Sequence, residues 1–245
     1  MARQGVRRSR GAEEEESYFI SMADMMVGLL FIFIILLLYF ALQFQQKSKA
    51  LSDAGEARTK ILRDLKTEIE RRDSSVKVEI DTRTGVLRMP AAILFAKGDY
   101  RLSPEGVAAV GVIAASMEQV LPCYSFPRRK DDCPVTPHSI DAIFIEGHTD
   151  ADMMAGWGPI SDNMDLSALR ATNTFRAMEQ AVPALGALHN REDRPILSVS
   201  GYGADRPVDA GSDEAAKSRN RRIDLRFLMA TPPPEDLTSI LTRQK

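Results

Sequence analysis

Apolar and polar positions are distributed unevenly along the chain. From Tyr18 to Phe44 only Asp24 ionises below pH 9, and Met25 to Gln46 carries no formal charge. At 1.5 Å per residue, about 20 apolar residues cross the ~30 Å hydrocarbon core of a bilayer. The pattern therefore predicts one transmembrane helix over residues 18–45, behind a polar tail at 1–17. A cleaved signal peptide has an apolar core of only about 7–15 residues and ends in a small-x-small site. Phe31 to Leu38 extends the apolar run beyond that length, and Gln43-Phe44-Gln45-Gln46 offers no such site, which favours an uncleaved anchor.

Beyond the apolar run the pattern changes period. Leu51, Ala54, Ile61, Leu62, Leu65 and Ile69 recur at helical spacing in a charged, proline-free stretch, so residues 46–75 read as a helical stalk. Such a stripe also suits pairing with a second copy, although Arg58 and Glu68 interrupt a heptad. Val76–Ile80 and Val86–Met89 alternate around the turn-rich Asp81–Gly85 and predict a hairpin. Ser103-Pro104 marks a helix start, with Val107, Val110, Ile113, Ala114, Met117 and Val120 as its buried stripe to about Leu121. A core strand is expected at Ile140–Glu146, a helix from about Ser167 to Leu188, and a strand at Ile196–Ser200. Arg222–Phe227 alternates strictly and predicts an exit strand with one wet face. Alternating strands and helices give an α+β chain whose residues 76–230 form a two-layer α/β sandwich. Thr231-Pro232-Pro233-Pro234 opens a short tail, 231–245.

Charge is nearly balanced: 32 Lys plus Arg face 34 Asp plus Glu, for a net −2. No global basic field exists to hold nucleic acid. Lys and Arg lie on both sides of the apolar run, so the positive-inside rule does not orient it. Cys123 and Cys133, the only two cysteines, bracket a polar stretch. A bridge between them would contribute roughly 3 kcal/mol and persist only in an oxidising compartment, the alternative being two unrelated thiols. With the bridge, the C-terminal domain is periplasmic and the N-terminus cytoplasmic. No zinc spacing, phosphate-cradling glycine loop or Ser-His-Asp arrangement stands out, so neither a catalytic residue, a metal site nor a bound cofactor is expected. His148 reads as a structural strand-end residue, and His138 and His189 as isolated.

Asp24 is the most informative residue in the apolar run. An Asp at the centre of a lone transmembrane helix costs roughly 2.5–3.5 kcal/mol on insertion scales. Ser21 lies one turn before it and Gly28 one turn after, a face on which another helix can approach. The residues leave two readings open: an intramembrane proton or cation carrier, or an interfacial acid that reaches the headgroups. Ser21-Met22-Ala23-Asp24-Met25-Met26 resembles the segment that opens the single membrane helix of MotB-type stator subunits, where the aspartate carries the coupling ion. Met22 stands where an aromatic is usual, and Val27 where threonine is common.

Four further motifs resemble OmpA-like peptidoglycan-binding domains and stand in that family's order between about Ile93 and Met229: Ile145–Asp150, Asn163-x-x-Leu166-Ser167-x-x-Arg170-Ala171, Gly201-Tyr202-Gly203, and Arg219-Asn220-Arg221-Arg222. The stem peptide of peptidoglycan carries diaminopimelate, whose free end presents an ammonium beside a carboxylate. The resemblance implies that Asp150 accepts from the ammonium and that Arg170 forks onto the carboxylate. It adds Asn163 and Leu166 at the helix opening, with Asn220 and Arg221 in support. A simpler reading pairs Asp150 with Arg170 and leaves Asn163 as a helix cap. The segment 151–162 is longer than the family's usual link between these motifs.

Together the resemblances imply an ion-driven stator subunit, clamped to the wall, moving protons or sodium through Asp24. Its partners would be a MotA-like multi-span ring around a homodimer of this chain. The cysteine-bracketed insertion and the lengthened loop lean toward the B subunit of Zorya-type antiphage motors, which would engage cytoplasmic defence effectors through the complex. A flagellar stator and a passive membrane-to-wall tether are the alternatives.

Overall fold

The computed structural model describes residues 10–96, 98–126, 133–134, 136–153, 156 and 158–230. The tail at 231–245, most of the polar tail at 1–17 and Trp157 lie outside them. The chain divides into two compact units, Met1–Ser52 and Asp53–Lys245.

Helix α1 (Arg10–Arg72) runs through both. In the first unit every large apolar side chain from Tyr18 to Phe44 is exposed, and the helix is long and apolar enough to cross a membrane. Asp24 lies within that stretch.

The second unit opens with the end of α1. Ile61, Leu62, Leu65 and Ile69 are fully buried in one core with Val110, Ile113, Met117, Leu87, Leu225 and Phe227. The stripe that the sequence offered to a second copy is therefore used within this unit, while Leu51 stays exposed. The domain's core thus begins some twenty residues before its first strand.

Strands β1 (Glu79–Asp81) and β2 (Val86–Pro90) form the hairpin. Asp81 Oδ1 accepts from the N–H groups of Arg83 and Thr84, and Gly85 takes the positive φ of 75° that the turn requires. The first strand is shorter than expected, because Val76 and Val78 pack into the core without a strand partner. A single turn, α2 (Ala91–Leu94), follows. Helix α3 (Pro104–Val120) begins as its sequence requires: the Ser103 hydroxyl accepts from Gly106 N–H at 2.9 Å, and Pro104 fills the first turn. It too is apolar enough to span a membrane, but Ala109, Val110, Ile113, Ala114 and Met117 bury it as a core helix.

The Cys123–Cys133 disulfide is formed, and β3 (Ile140–His148) follows it. Helix α4 (Asn163–Ala181) starts earlier than expected because Asp162 caps it, accepting from Met164 and Asp165 N–H groups. It ends at Ala181 before Pro183, which lacks the N–H to continue; residues Pro183–Ala187 form a 3₁₀ turn instead. Strand β4 (Leu197–Gly201), helix α5 (Glu214–Asn220) and strand β5 (Arg222–Met229) complete the unit. The five strands lie in the order β1-β2-β5-β3-β4. Only β3 and β4 pair in parallel, joined by α4, which packs on both strands and against α3. The resulting helix-on-sheet α+β architecture is the expected one.

Strand β5 departs from expectation. It lies at the centre of the sheet, and its polar residues Arg222 and Asp224 are as dry as Ile223 and Leu225. Ion pairs across neighbouring strands, described below, make that face compatible with burial.

Candidate functional site

The site forms where β3 ends and α4 begins. Alternation along β3 points Ile143, Ile145 and Gly147 toward the helices. A Cβ on Gly147 would stand 2.0 Å from Ser167 O, and one on Gly201 would stand 2.6 Å from Ala168 N. The first turns of α4 thus cross both strands at a distance only glycine permits. Ser167 Oγ donates to Met164 O at 2.8 Å and accepts from Gly203 N–H at 2.9 Å, and Thr149 N–H donates to Gly203 O at 2.9 Å. These bonds fix Asp150, one residue on, against the opening of α4.

Asp150 is 8% exposed. Its Oδ2 accepts from Arg221 Nη1 at 2.5 Å and its Oδ1 from Asp152 N–H at 3.1 Å. The ion-pair partner of Asp150 is therefore Arg221, not Arg170. Arg221 also holds Glu214 on α5. Arg170, 3% exposed, donates from Nε to Asp99 O at 2.8 Å and from Nη2 to Ala96 O at 3.4 Å, and its guanidinium lies 5.1 Å from the centre of the Phe95 ring. Burial lowers its pKa to about 10, with the charge of Asp150 acting in the other direction. It stays cationic at neutral pH. Asp150, Arg170 and Arg221 thus feel one another's charges, which sets a carboxylate and guanidiniums together for a ligand that carries both signs.

Asn163 does not cap α4. Its Nδ2 donates to the carbonyls of Asp150 and Asp152, at 3.3 and 2.9 Å, and so ties the acid-bearing turn to the helix. Leu166, in the first turn of α4, is buried. Asn220 has its whole amide engaged with the chain at 208–209: Oδ1 accepts from Val208 and Asp209 N–H groups, and Nδ2 donates to Asp209 O. It positions the connection into α5. Of the six side chains named from the sequence, Asp150, Arg170 and Arg221 come together, Asn163 braces them, and Leu166 and Asn220 are inward-facing supports. The pattern reading missed α5 and with it Lys217, whose Nζ lies 2.6 Å from Asp152 Oδ1. Asp213 before Glu214-Ala215-Ala216-Lys217 is the cap signal that would have located it.

On the opposite face of the sheet, Glu146, His148 and Asp224 place ligand-type atoms within 4.8 Å of one another. Both carboxylates are already held. Arg226 grips Glu146 with two bonds of 2.8 Å; Asp224 takes Arg88 at 3.0 and 3.2 Å and Arg222 at 2.9 Å. Three guanidiniums against two carboxylates leave this buried group at +1, which opposes a further cation. His148 is buried, lies 3.8 Å from both carboxylates, and stacks on Tyr202 at 5.4 Å. Burial lowers its pKa, so the neutral imidazole is the resident form. The arrangement is an ion-pair lattice beneath the site, and His148 is structural.

No family model matches the chain, and no curated protein matches it in sequence. Among solved structures it is similar to a MotB-like protein from Desulfovibrio vulgaris, with a TM-score of 0.53 and 22% identity over 72% of this chain and 96% of that one. Lower TM-scores relate it to the periplasmic domain of Helicobacter pylori MotB (0.43, 18% identity, 68% and 88% covered) and to the cell wall anchor of the type VI secretion system from Pseudomonas aeruginosa (0.45, 16%, 67% and 92%). The first of these likenesses shows the fold: an α+β domain of MotB-like architecture, preceded in the chain by an apolar helix.

Proposed function

We propose that this chain is a wall-anchored stator subunit of an ion-driven motor in the bacterial inner membrane. In this reading residues 18–45 span the bilayer with the N-terminus cytoplasmic, 46–75 form the stalk, and 76–230 bind peptidoglycan in the periplasm. Asp150 takes the ammonium of diaminopimelate and Arg170 its carboxylate, while Arg221, the residue after α5, supports them by bracing Asp150. Protons, with sodium as the alternative cargo, pass through Asp24 between this helix and a MotA-like multi-span ring enclosing a homodimer. One helix cannot enclose an ion path alone, so the partner is part of the mechanism. Binding and release at Asp24 change its contacts with surrounding helices, and the wall anchor holds this subunit while the partner moves. The chemistry needs no catalytic residue or resident cofactor. Of such motors, the Zorya-type antiphage system suits the disulfide-closed insertion and the extended 151–162 segment.

The observation that carries the reading is one carboxylate, Asp24, on an exposed apolar helix of a chain whose other unit has a MotB-like fold. The experiment is Asp24→Asn, expressed with the neighbouring genes, followed by protection against phage and by retention of the chain on isolated sacculi. Protection is lost while assembly and retention stay intact; a passive tether would keep its function, which would refute the motor. Arg170→Ala releases the chain from sacculi, and unchanged retention would refute the wall site.

A further inference from the structure

The acid-bearing turn holds two carboxylates, not one. Asp152 lies two residues beyond Asp150, its N–H bonded to Asp150 Oδ1 at 3.1 Å and its carbonyl held by Asn163 at 2.9 Å. The turn is thus braced from both sides. Opposite it, α5 presents Lys217, whose ammonium sits 2.6 Å from Asp152 Oδ1. Asp150 and Glu214 also attract that ammonium, and together with the hydrogen bond to Asp152 they raise the lysine's pKa. The protein has therefore built a place for an ammonium between two acids of one turn, and one of its own lysines stands in it.

We propose that Lys217 occupies the ammonium subsite of the wall site in the free protein, and that Asp152 is a second acid which, with Asp150, receives the ligand's ammonium when Lys217 withdraws. The inference rests on the wall-site reading above. Three features make the exchange feasible. Asp150 has acceptor capacity left, because a carboxylate offers about four lone-pair positions and Arg221 and Asp152 N–H take two. Lys217 and Asp152 are 27% and 53% exposed in their side chains, so their bond is a screened surface pair of modest strength. Lysine carries a point charge on a flexible four-carbon stem, which can swing away and leave the rigid turn in place. The ligand class follows: a zwitterion with ammonium and carboxylate at one carbon satisfies both the acid pair and the two arginines. A bare dicarboxylate satisfies only the arginines.

The test is calorimetric titration of the full chain in detergent with meso-diaminopimelate, and in parallel with pimelate, which has the carboxylates but no amine. Lys217→Met removes the competitor and tightens diaminopimelate binding roughly two- to fivefold, the span expected of a surface ion pair. Pimelate binding does not tighten. Lys217→Arg keeps a competing cation and stays near wild type, while Asp152→Asn weakens diaminopimelate binding in both the wild-type and the Lys217→Met backgrounds. If Arg170-dependent binding is intact but Lys217→Met gives no gain, the competitor is refuted and the wall site stands. If the wild-type chain does not bind diaminopimelate, or binds it equally well after Arg170→Ala, the wall-site reading fails and this inference fails with it.

Discussion

Helix α1 sets two environments side by side. From Tyr18 to Phe44 it exposes every large apolar side chain it carries, Leu37 at 52% among them; from Ile61 to Ile69 it buries Ile61, Leu62, Leu65 and Ile69 completely. In the first stretch apolar residues surround the helix, so no single neighbouring face could cover them, and an apolar medium is the physical solution. In the second they recur at three and four residues and match one face of a folded core. Acids follow the same division. Glu146 and Asp224 are buried and each is gripped by guanidiniums, whereas Asp24 has no ion-pair partner among the described residues. An acid fully compensated at home is structural. One placed without such compensation in an apolar stretch carries an insertion cost that falls toward the helix ends.

The contrast is tested most strongly on these acids. Asp224→Asn leaves the buried Arg222 and the half-buried Arg88 without their shared counter-charge, and should cost about 3–5 kcal/mol of the second unit's stability. Asp24→Asn should change that stability by under about 0.5 kcal/mol. Denaturant unfolding of the full chain in detergent, followed by tryptophan-independent far-UV circular dichroism, reads both. Equal losses would mean that Asp24 is as structural as Asp224. A pair of apolar truncations sharpens the same point at somewhat smaller amplitude: Leu65→Ala should cost about 2–5 kcal/mol, and Leu37→Ala in the same assay under about 0.5 kcal/mol. A large loss at Leu37 would place it in a protein core.

These particular residues also show what local pattern conveys. The apolar run, the Ser103-Pro104 helix start and the strand leading to Asp150 were legible because each depends on neighbours within one turn or one alternation. The apposition of Asp150 with Arg170 was reachable only through motif resemblance, since the two meet through the glycine-permitted crossing of α4 over Gly147. Asp150's actual ion partner, Arg221, lies 71 residues away, and the Arg88–Asp224 and Arg226–Glu146 pairs join residues 136 and 80 apart. Such pairs leave no periodic trace. For that reason β5 read as wet along one face, although Arg222 and Asp224 on that face are buried. The stripe at Ile61–Ile69 was visible as a stripe, but its spacing suits a second helix or the domain's own core equally well. Only the fold decides between them.

The smallest expected effect lies in the ion-pair lattice itself. His148 is held neutral by burial, and protonation would raise the lattice from +1 to +2. In the unfolded chain a histidine takes its proton near pH 6.5; in the folded chain His148 takes it only at lower pH. The unfolded state therefore binds more protons in that window, and stability falls as pH drops below about 6.5 toward the depressed folded value. Above 6.5 the contribution is fully present. Measuring the unfolding midpoint from pH 7.5 to 5 should show this decline. His148→Phe keeps an aromatic ring against Tyr202 while removing the titrating group, so it should flatten the slope in that range. If the slope is unchanged in the variant, another group carries the acid sensitivity, and the lattice tolerates a sixth charge better than its five paired ones imply.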